Sequence, residues 1–545
     1  MRWIGPLGEL SLACLSGILL VLSFPQFDLG ALAWIALTPL LVCLDGKRPW
    51  GAFLLSFVAG LIFFTGIFYW MLTVTNYNVL DHGLLAVYLA LYLGVFGLML
   101  VWIQRRMQLP LVLAAPPLWM TLEYIRAHAS FLALPWMLLG HSQYLHPSVV
   151  QITSLTGVYG LSFLIVLVNA LGADILRYWR HLRRIPSRSP RSARALIHSS
   201  LAVSIILMST YAYGRLVLSR PLTGERMRIA VVQGNIARDE RWIPMNRRVI
   251  MERHAMLTRE AAQDAPILIV WPETAVPGDV RHDPELKRAI GQLALETKTF
   301  LLVGSSQYAK LAHGNRENPE LRNKMYNNVF LISPQGTIEG EYRKVVLVPF
   351  GEYEPLKGIV PWPKVIAAAF GNTVPGDSYS LFSIAGHHFG AVICWEAIFP
   401  EVFREFVKRG AVFMISATNE SWFGVTAAPY QFLAMTVFRA AENRISIARA
   451  ANTGVSAFID PYGRIVDRVR GAAGGDLFVE GLLVSEVYLT QAETFYTLYG
   501  DIFAFLQIAA SAVLVVSCGL SPRVRQYVRA SLVRALATRR FKGVR

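Results

Sequence analysis

The 545-residue sequence predicts a multi-span α-helical membrane domain of about eight transmembrane helices together with a layered α/β domain. Three observations carry that expectation. Hydrophobic residues make up 54% of the chain, more than an ordinary soluble protein needs to fill its core. Apolar runs near membrane-spanning length crowd residues 1–220 and return once near 502–520. Between them, from about 221 to 500, short β-rich runs alternate with helical patterns.

Seven spans precede the α/β region, near 8–24, 29–45, 51–73, 83–104, 108–125, 152–176 and 197–218. The first follows a single Arg2 and has no small-residue cleavage site, so a retained helix is expected rather than a removed signal peptide. Pro39 interrupts the second span, and Pro116-Pro117 the fifth.

Charge tests the count. The net charge of +16 sits largely beside the apolar runs. It falls on Lys47-Arg48, on Arg105-Arg106, on a cluster from Arg177 to Arg194, and on the tail from Arg523 to Arg545. If the N-terminus is inside, all of these face the cytoplasm, and the loops after spans one and three carry no Lys or Arg. An odd number of spans then puts residues 221–500 outside, and the final helix returns a basic tail (501–545) to the cytoplasm. The middle region mixes both charge signs without a sustained basic face, so no nucleic-acid binding is expected. The apolar loop Phe131–Gly140 is too short to span and is expected either at the outer interface or as a re-entrant segment, with Trp136 at headgroup depth. Glu123 and Arg126, spaced i, i+3, suit either a structural salt bridge or a headgroup contact.

Within 221–500, strands are expected at Met227–Gln233, Ile267–Trp271, Phe300–Gly304, Asn328–Ser333, His388–Ile393, Val412–Ala417 and Ser446–Ala450. A hairpin is expected across Pro461-Tyr-Gly463. Helices are expected at Met245–Gln263, Pro284–Glu296, Glu401–Lys408 and Tyr430–Asn443. Gly471-Ala-Ala-Gly-Gly475 lacks the Lys-Ser/Thr ending of a phosphate loop, and no His-Glu-x-x-His or Asp-rich loop occurs. No metal, nucleotide or other cofactor is expected.

The chain has four cysteines, and three of them (Cys14, Cys43 and Cys518) fall in apolar membrane runs. Cys394 stands alone in its domain, at the end of the apolar run Phe389-Gly-Ala-Val-Ile-Cys394 and followed by Trp395-Glu396. It reads either as a small buried hydrophobe or as a nucleophile exposed on a sharp turn. Two further strand ends offer ionisable groups. Ile267-Leu-Ile-Val-Trp-Pro-Glu273 presents a carboxylate, and Glu341-Tyr-Arg-Lys-Val-Val-Leu-Val-Pro-Phe-Gly-Glu352 presents Lys344 and Glu352.

In this order the Trp-Pro-Glu, Arg-Lys-x-x-Leu-Val-Pro-Phe-Gly-Glu and Ile-Cys-Trp-Glu motifs resemble the nitrilase superfamily. Thr418-Asn-Glu-Ser-Trp-Phe-Gly424 resembles a fourth block. With several spans before and one after, the chain resembles the apolipoprotein N-acyltransferase family over essentially its whole length, including Val232-Gln-Gly-Asn-Ile236 with Trp242, and Leu134-Pro-Trp136. The residue after the cysteine, often Tyr in that family, is Trp395 here.

The resemblance implies an αββα sandwich and a Glu273–Lys344–Cys394 triad. Glu273 would act as general base, and Lys344 would stabilise thiolate and oxyanion. The Trp395 backbone N–H would be a second oxyanion donor. Glu352 would orient Lys344 or the attacking amine, and for Glu396 structural and functional roles stay open. Asn235, Trp242 and Asn419 would line the site. The implied reaction passes a fatty acyl chain from a membrane phospholipid through a Cys394 thioester to the N-terminal amine of a diacylglyceryl-cysteine apolipoprotein. The implied setting is a bacterial inner membrane with the catalytic domain periplasmic and the protein monomeric. Loops 358–363 and 422–424 would either gate the site or be ordinary surface loops. The alternatives are a membrane-bound amidase acting on a lipid amide, a scaffold for a polyprenol-sugar synthase, and a transporter. The intact triad opposes the scaffold, and the scarcity of charge within the spans opposes the transporter.

Overall fold

A computed structural model describes residues 5–75, 77–182, 190–241, 243–308, 324–360, 371–491, 493–520 and 522–537. The chain divides into two compact units. One comprises residues 1–72, 77–219 and 501–545, and the other comprises 73–76 and 220–500.

The first unit is all helical. Five of its described helices are long and apolar enough to cross a membrane: Pro49–Ile67, Val79–Met107, Thr153–Arg180, Ala193–Leu218 and Ile502–Gly519. Pro6–Leu22 and Gly30–Cys43 are shorter apolar segments. Leu111–Ala127, the expected fifth span, has 17 residues with Pro116 and Pro117 inside it and both Glu123 and Arg126 buried.

The expected second span is broken into Gly30–Leu32, Ala33–Ala36 and Thr38–Cys43. The break is held by fully buried Asn169. Its Oδ1 accepts the backbone N–H of Leu37 at 2.8 Å and of Thr38 at 2.9 Å, and its Nδ2 donates to the Ala33 carbonyl at 2.9 Å. A side-chain amide thus supplies the partners that a continuous helix would have supplied from its own backbone. Replacing Asn169 by Leu strands those two donors. The cost is expected to be about 2–4 kcal/mol, read as a lowered thermal midpoint of the protein in detergent.

Trp136 is buried within this unit and packs on Trp70 with ring centroids 5.1 Å apart. Its loop is drawn in by the two charges noted in the sequence. Arg126 Nη1 donates to the Trp136 carbonyl at 3.0 Å, and Glu123 Oε1 accepts the Leu139 N–H at 2.8 Å.

The second unit holds twelve described strands, numbered along the chain, in two six-stranded sheets. The first sheet contains β1 (Arg226–Gln233), β2 (Leu268–Val270), β3 (Phe300–Tyr308), β4 (Met325–Ile332), β5 (Ile338–Arg343) and β12 (Gly481–Tyr488). Its order is β12-β1-β2-β3-β4-β5. The second contains β6 (Phe382–Ile384), β7 (His387–Ile393), β8 (Phe413–Thr418), β9 (Ser446–Ala451), β10 (Ala457–Ile459) and β11 (Ile465–Arg468), in the order β11-β10-β9-β8-β7-β6.

Each sheet is parallel at its centre, with β1-β2-β3 in one and β7-β8-β9 in the other, and antiparallel at its margins. Every residue of β8 and β9 is buried. Strands covered on both faces read as largely apolar runs, which is why these were legible although β9 also carries Arg449. Helices Arg247–Ala262 and Pro284–Thr297 cover the first sheet, packing Leu257, Ile290 and Leu293 against Ile269, Leu301 and Phe330. The second of these helices starts where its pattern predicts, with Pro284 in the first turn and Asp283 Oδ1 accepting the N–H groups of Glu285 and Leu286. Pro400–Lys408 and Ala428–Asn443 belong to the second sheet's half of the unit. The result is the expected αββα sandwich.

Candidate active site

The site lies where β2, β5, β7 and β8 end. Glu273 follows β2 through Trp271-Pro272, and the next residue, Thr274, is left-handed at φ 44°. The turn fits because neighbouring β3 has Gly304 there, where any side chain would collide with the Pro272 carbonyl and Thr274 N. Lys344 directly follows β5, its N–H donating to the Asn327 carbonyl at 2.9 Å. Cys394 directly follows β7 at φ 50° and opens the 3-10 turn Cys394–Ile398. A non-glycine residue in the left-handed region carries local strain, and here it lifts the thiol off the strand axis. The parallel register that pairs Ile393 with Ala417 sets Thr418, at the end of β8, beside Cys394.

The charged groups converge. Lys344 is 1% exposed. Its Nζ lies 2.9 Å from Glu352 Oε1 and 3.7 Å from Glu273 Oε1. Asn327 Nδ2 donates to Glu273 Oε1 at 2.7 Å and reaches Glu352 Oε1 at 3.4 Å. The other oxygen of Glu273 accepts the Asn419 N–H at 2.9 Å, and that of Glu352 accepts the Val348 N–H at 2.8 Å. Burial alone would strip the proton from Lys344, but Glu352, then Glu273 and Cys394, outweigh it and hold the ammonium charged well above the ordinary lysine range. The thiol is pushed up to about 12. Burial is the main cause, Glu273 adds to it, and Lys344 and the Thr418 hydroxyl oppose it. At rest, then, the site pairs a neutral thiol with a fixed cation.

Glu396, two residues past the cysteine, is fully buried and accepts four hydrogen bonds. They come from the N–H groups of Val345 (2.7 Å), Val346 (3.1 Å) and Ile393 (2.8 Å) and from the Tyr342 hydroxyl (2.7 Å). It buckles the backbone after Lys344 to the strand that ends at Cys394. Asn419 gives its backbone to Glu273, while its Oδ1 accepts Asn452 Nδ2 at 3.1 Å. Asn235, at φ 50°, donates Nδ2 to the Phe478 carbonyl at 3.1 Å and its N–H to the Asn452 carbonyl at 2.9 Å. It therefore ties loops of the two sheets together. The Trp395 ring is partly buried, 6.0 Å from that of Phe399. Trp242 and residues 361–363 of the first suggested gating loop lie outside the described residues. Within the second, Trp422 is exposed.

Two participants escaped sequence reasoning. Asn327 sits near the start of β4, and a polar pair, Asn327-Asn328, inside an otherwise apolar strand was the available signal. Glu420 lay in the quoted Thr418–Gly424 block, but nothing in the sequence tells a buried carboxylate from a loop one. Among the described residues, no group of three His, Cys, Asp or Glu is arranged to hold a metal ion.

Residues 16–171 match the family described as apolipoprotein N-acyltransferase N-terminal domain, and residues 228–496 match carbon-nitrogen hydrolase. A Geobacter metallireducens protein named apolipoprotein N-acyltransferase is 38% identical over 518 residues, covering 93% of this chain and 95% of that protein. Proteins of the same name from Pseudomonas aeruginosa and Chlorobaculum tepidum are 31% and 27% identical, covering 92% and 94% of this chain and 94% and 97% of theirs. Among solved structures, an amidase from Nesterenkonia sp. AN1 is 21% identical, with 51% of this chain and 95% of that chain covered and a TM-score of 0.37.

Proposed function

The chain belongs to the apolipoprotein N-acyltransferase family, and from that membership we propose that Cys394 carries a fatty acyl group from a membrane phospholipid to the α-amine of a diacylglyceryl-cysteine apolipoprotein. The protein is an N-acyltransferase with a nitrilase-like domain. The observation that carries the residue-level reading is the charged cluster beside the thiol, with Lys344 Nζ 2.9 Å from Glu352 and 3.7 Å from Glu273.

In the first half-reaction the sulfur attacks the ester carbonyl as Glu273 takes its proton. A base is required because the thiol, pushed up to about 12, is not ionised at neutral pH. Lys344 faces the thiolate and then the tetrahedral oxyanion, with the Trp395 N–H as second donor. Collapse breaks the ester C–O bond, Glu273 returns the proton to the leaving oxygen, and a lysophospholipid departs. In the second half-reaction the amine attacks the thioester. Glu273 takes the amine proton, the C–S bond breaks, and the thiolate recovers a proton. Glu352 keeps Lys344 oriented throughout, and Glu396 keeps the two strand ends in register.

The charge pattern of the loops supports an inner-membrane protein whose residues 221–500 face the periplasm. Residues 1–220 and 501–545 would form the membrane domain, and a monomer suffices because every proposed participant comes from one chain. An amidase would pass the same thioester to water. The 38% identical relative is named for acyl transfer, which disfavours that alternative.

The test is to incubate the protein with phospholipid vesicles and seek a hydroxylamine-sensitive acyl adduct on the Cys394 peptide by mass spectrometry. The adduct is expected to persist until a diacylglyceryl-cysteine peptide is added and then to move to its amine. An adduct elsewhere, or one that water clears as fast as the peptide does, refutes the reading.

A further inference from the structure

Two fully buried ion pairs lie in the half of the unit built around the second sheet: Glu420 with Arg449, and Glu442 with Arg439. The second belongs to helix Ala428–Asn443, where its members stand i, i+3. Arg439 Nε lies 2.9 Å from Glu442 Oε2, and Nη2 donates to Glu442 Oε1 at 3.1 Å. The carboxylate therefore takes one edge of the guanidinium. The remaining nitrogen, Nη1, reaches out of the helix and donates to the Ile398 carbonyl at 3.1 Å. Ile398 closes the 3-10 turn that Cys394 opens.

A buried pair adds little stability, because desolvation offsets most of its attraction. What this pair supplies is direction. A guanidinium held side-on by a carboxylate keeps its third nitrogen aimed at one point, and a charged donor holds a carbonyl more strongly than a neutral one. The turn needs such a hold at both ends. Cys394 sits at φ 50°, a conformation that a non-glycine residue keeps only where its surroundings fix it. On the near side, Ile393 is paired with Ala417 in the β7–β8 ladder, and its N–H donates to Glu396 Oε2 at 2.8 Å. On the far side, the Ile398 carbonyl is held by Arg439. Between the two anchors lie the thiol and the Trp395 N–H.

We propose that Arg439 is a positioning residue of the acyl-transfer site: aimed by Glu442, it fixes the far end of the Cys394–Ile398 turn and so holds the thiol and the Trp395 N–H in register with the reacting carbonyl. It touches no reacting atom and acts through the turn alone. The proposal rests on the reading of Cys394 as acyl carrier.

The test removes both charges together, because removing one strands the other in the interior. Arg439→Met/Glu442→Met keeps two long side chains in the helix, and its thermal midpoint is expected to stay close to that of the unaltered protein. Formation of the Cys394 adduct is followed by mass spectrometry in single turnovers of the full-length protein, in detergent micelles carrying dioleoyl phosphatidylethanolamine at a series of concentrations. The maximal rate is expected to fall by about 100-fold, the scale set by a misplacement of about 1 Å at the reacting atoms, with the half-saturating phospholipid concentration unchanged. A pair that served stability alone would leave the rate of the folded variant untouched. A maximal rate equal to that of the unaltered protein overturns the proposal, and so does a change confined to the half-saturating concentration. Arg439→Lys is a second arm that keeps the buried charges balanced. A single ammonium does not reproduce both the side-on hold and the separate donor, so its maximal rate is expected to fall by about 10-fold, and an unchanged rate again overturns the proposal. Failure of the acyl-carrier reading shows elsewhere, as the absence of any Cys394 adduct in the unaltered protein.

Discussion

Lys344→Met is expected to cut the rate of acyl-adduct formation on Cys394 by about 100- to 1000-fold or more, the loss typical when one oxyanion-stabilising group is removed. Methionine fills nearly the same buried volume, so the effect is electrostatic rather than steric. Three consequences add. The forming thiolate loses its cation, the oxyanion loses a partner, and Glu273 and Glu352 are left facing each other across Asn327 with nothing positive between them. Two carboxylates so placed hold a proton between them, which removes the base as well. Single-turnover adduct formation with phospholipid, followed by mass spectrometry, measures the loss, and a thermal melt checks that the domain is folded. An adduct that forms at the unaltered rate, with only transfer to the amine impaired, would refute the role given to Lys344 in the first half-reaction.

Glu396→Ala is expected to destabilise the α/β unit by about 4 kcal/mol or more, because it strands several buried donors and each costs about 1–3 kcal/mol. Four donors end on this carboxylate: three backbone N–H groups and the Tyr342 hydroxyl. Two of the N–H groups belong to Val345 and Val346, directly after Lys344, and the third to Ile393, directly before Cys394. The same substitution that lowers the melt therefore also parts the cation from the thiol. The expected signature is a large fall in thermal midpoint together with loss of adduct at temperatures where the variant remains folded. A melt within a degree of the unaltered protein would show that Glu396 does not buckle the two strand ends.

Much of this was legible because burial leaves a mark in sequence. Strands β1, β7, β8 and β9 are mostly apolar and mostly buried, and each ended within a residue or two of its expected limit. At the margins the β10–β11 hairpin across Pro461-Tyr-Gly463 was legible, but three other strands were not. β5 carries Glu339 and Glu341, β6 is three residues long, and β12 is only partly buried, so none shows a clean period. The expected second span is apolar but broken: Pro39 stands in the first turn of Thr38–Cys43, and Asn169, more than a hundred residues away, satisfies the N–H groups of Leu37 and Thr38 at the break. In the site, motif spacing pointed to Glu273, Lys344, Glu352 and Cys394, since each terminates an apolar run. Asn327 left only the faint mark of a polar pair in an apolar strand, and Glu420 and Arg449 act through tertiary contacts alone.

Strand β12 lies beside β1 along its whole length, from Arg226 opposite Tyr488 to Gln233 opposite Gly481. The unit's opening and closing strands are thus zipped together at one border of a sheet. A cassette built this way has its two cut points side by side. It can be lifted out or exchanged between relatives without threading chain through its interior, and a short peptide bridging those points would close it into a ring.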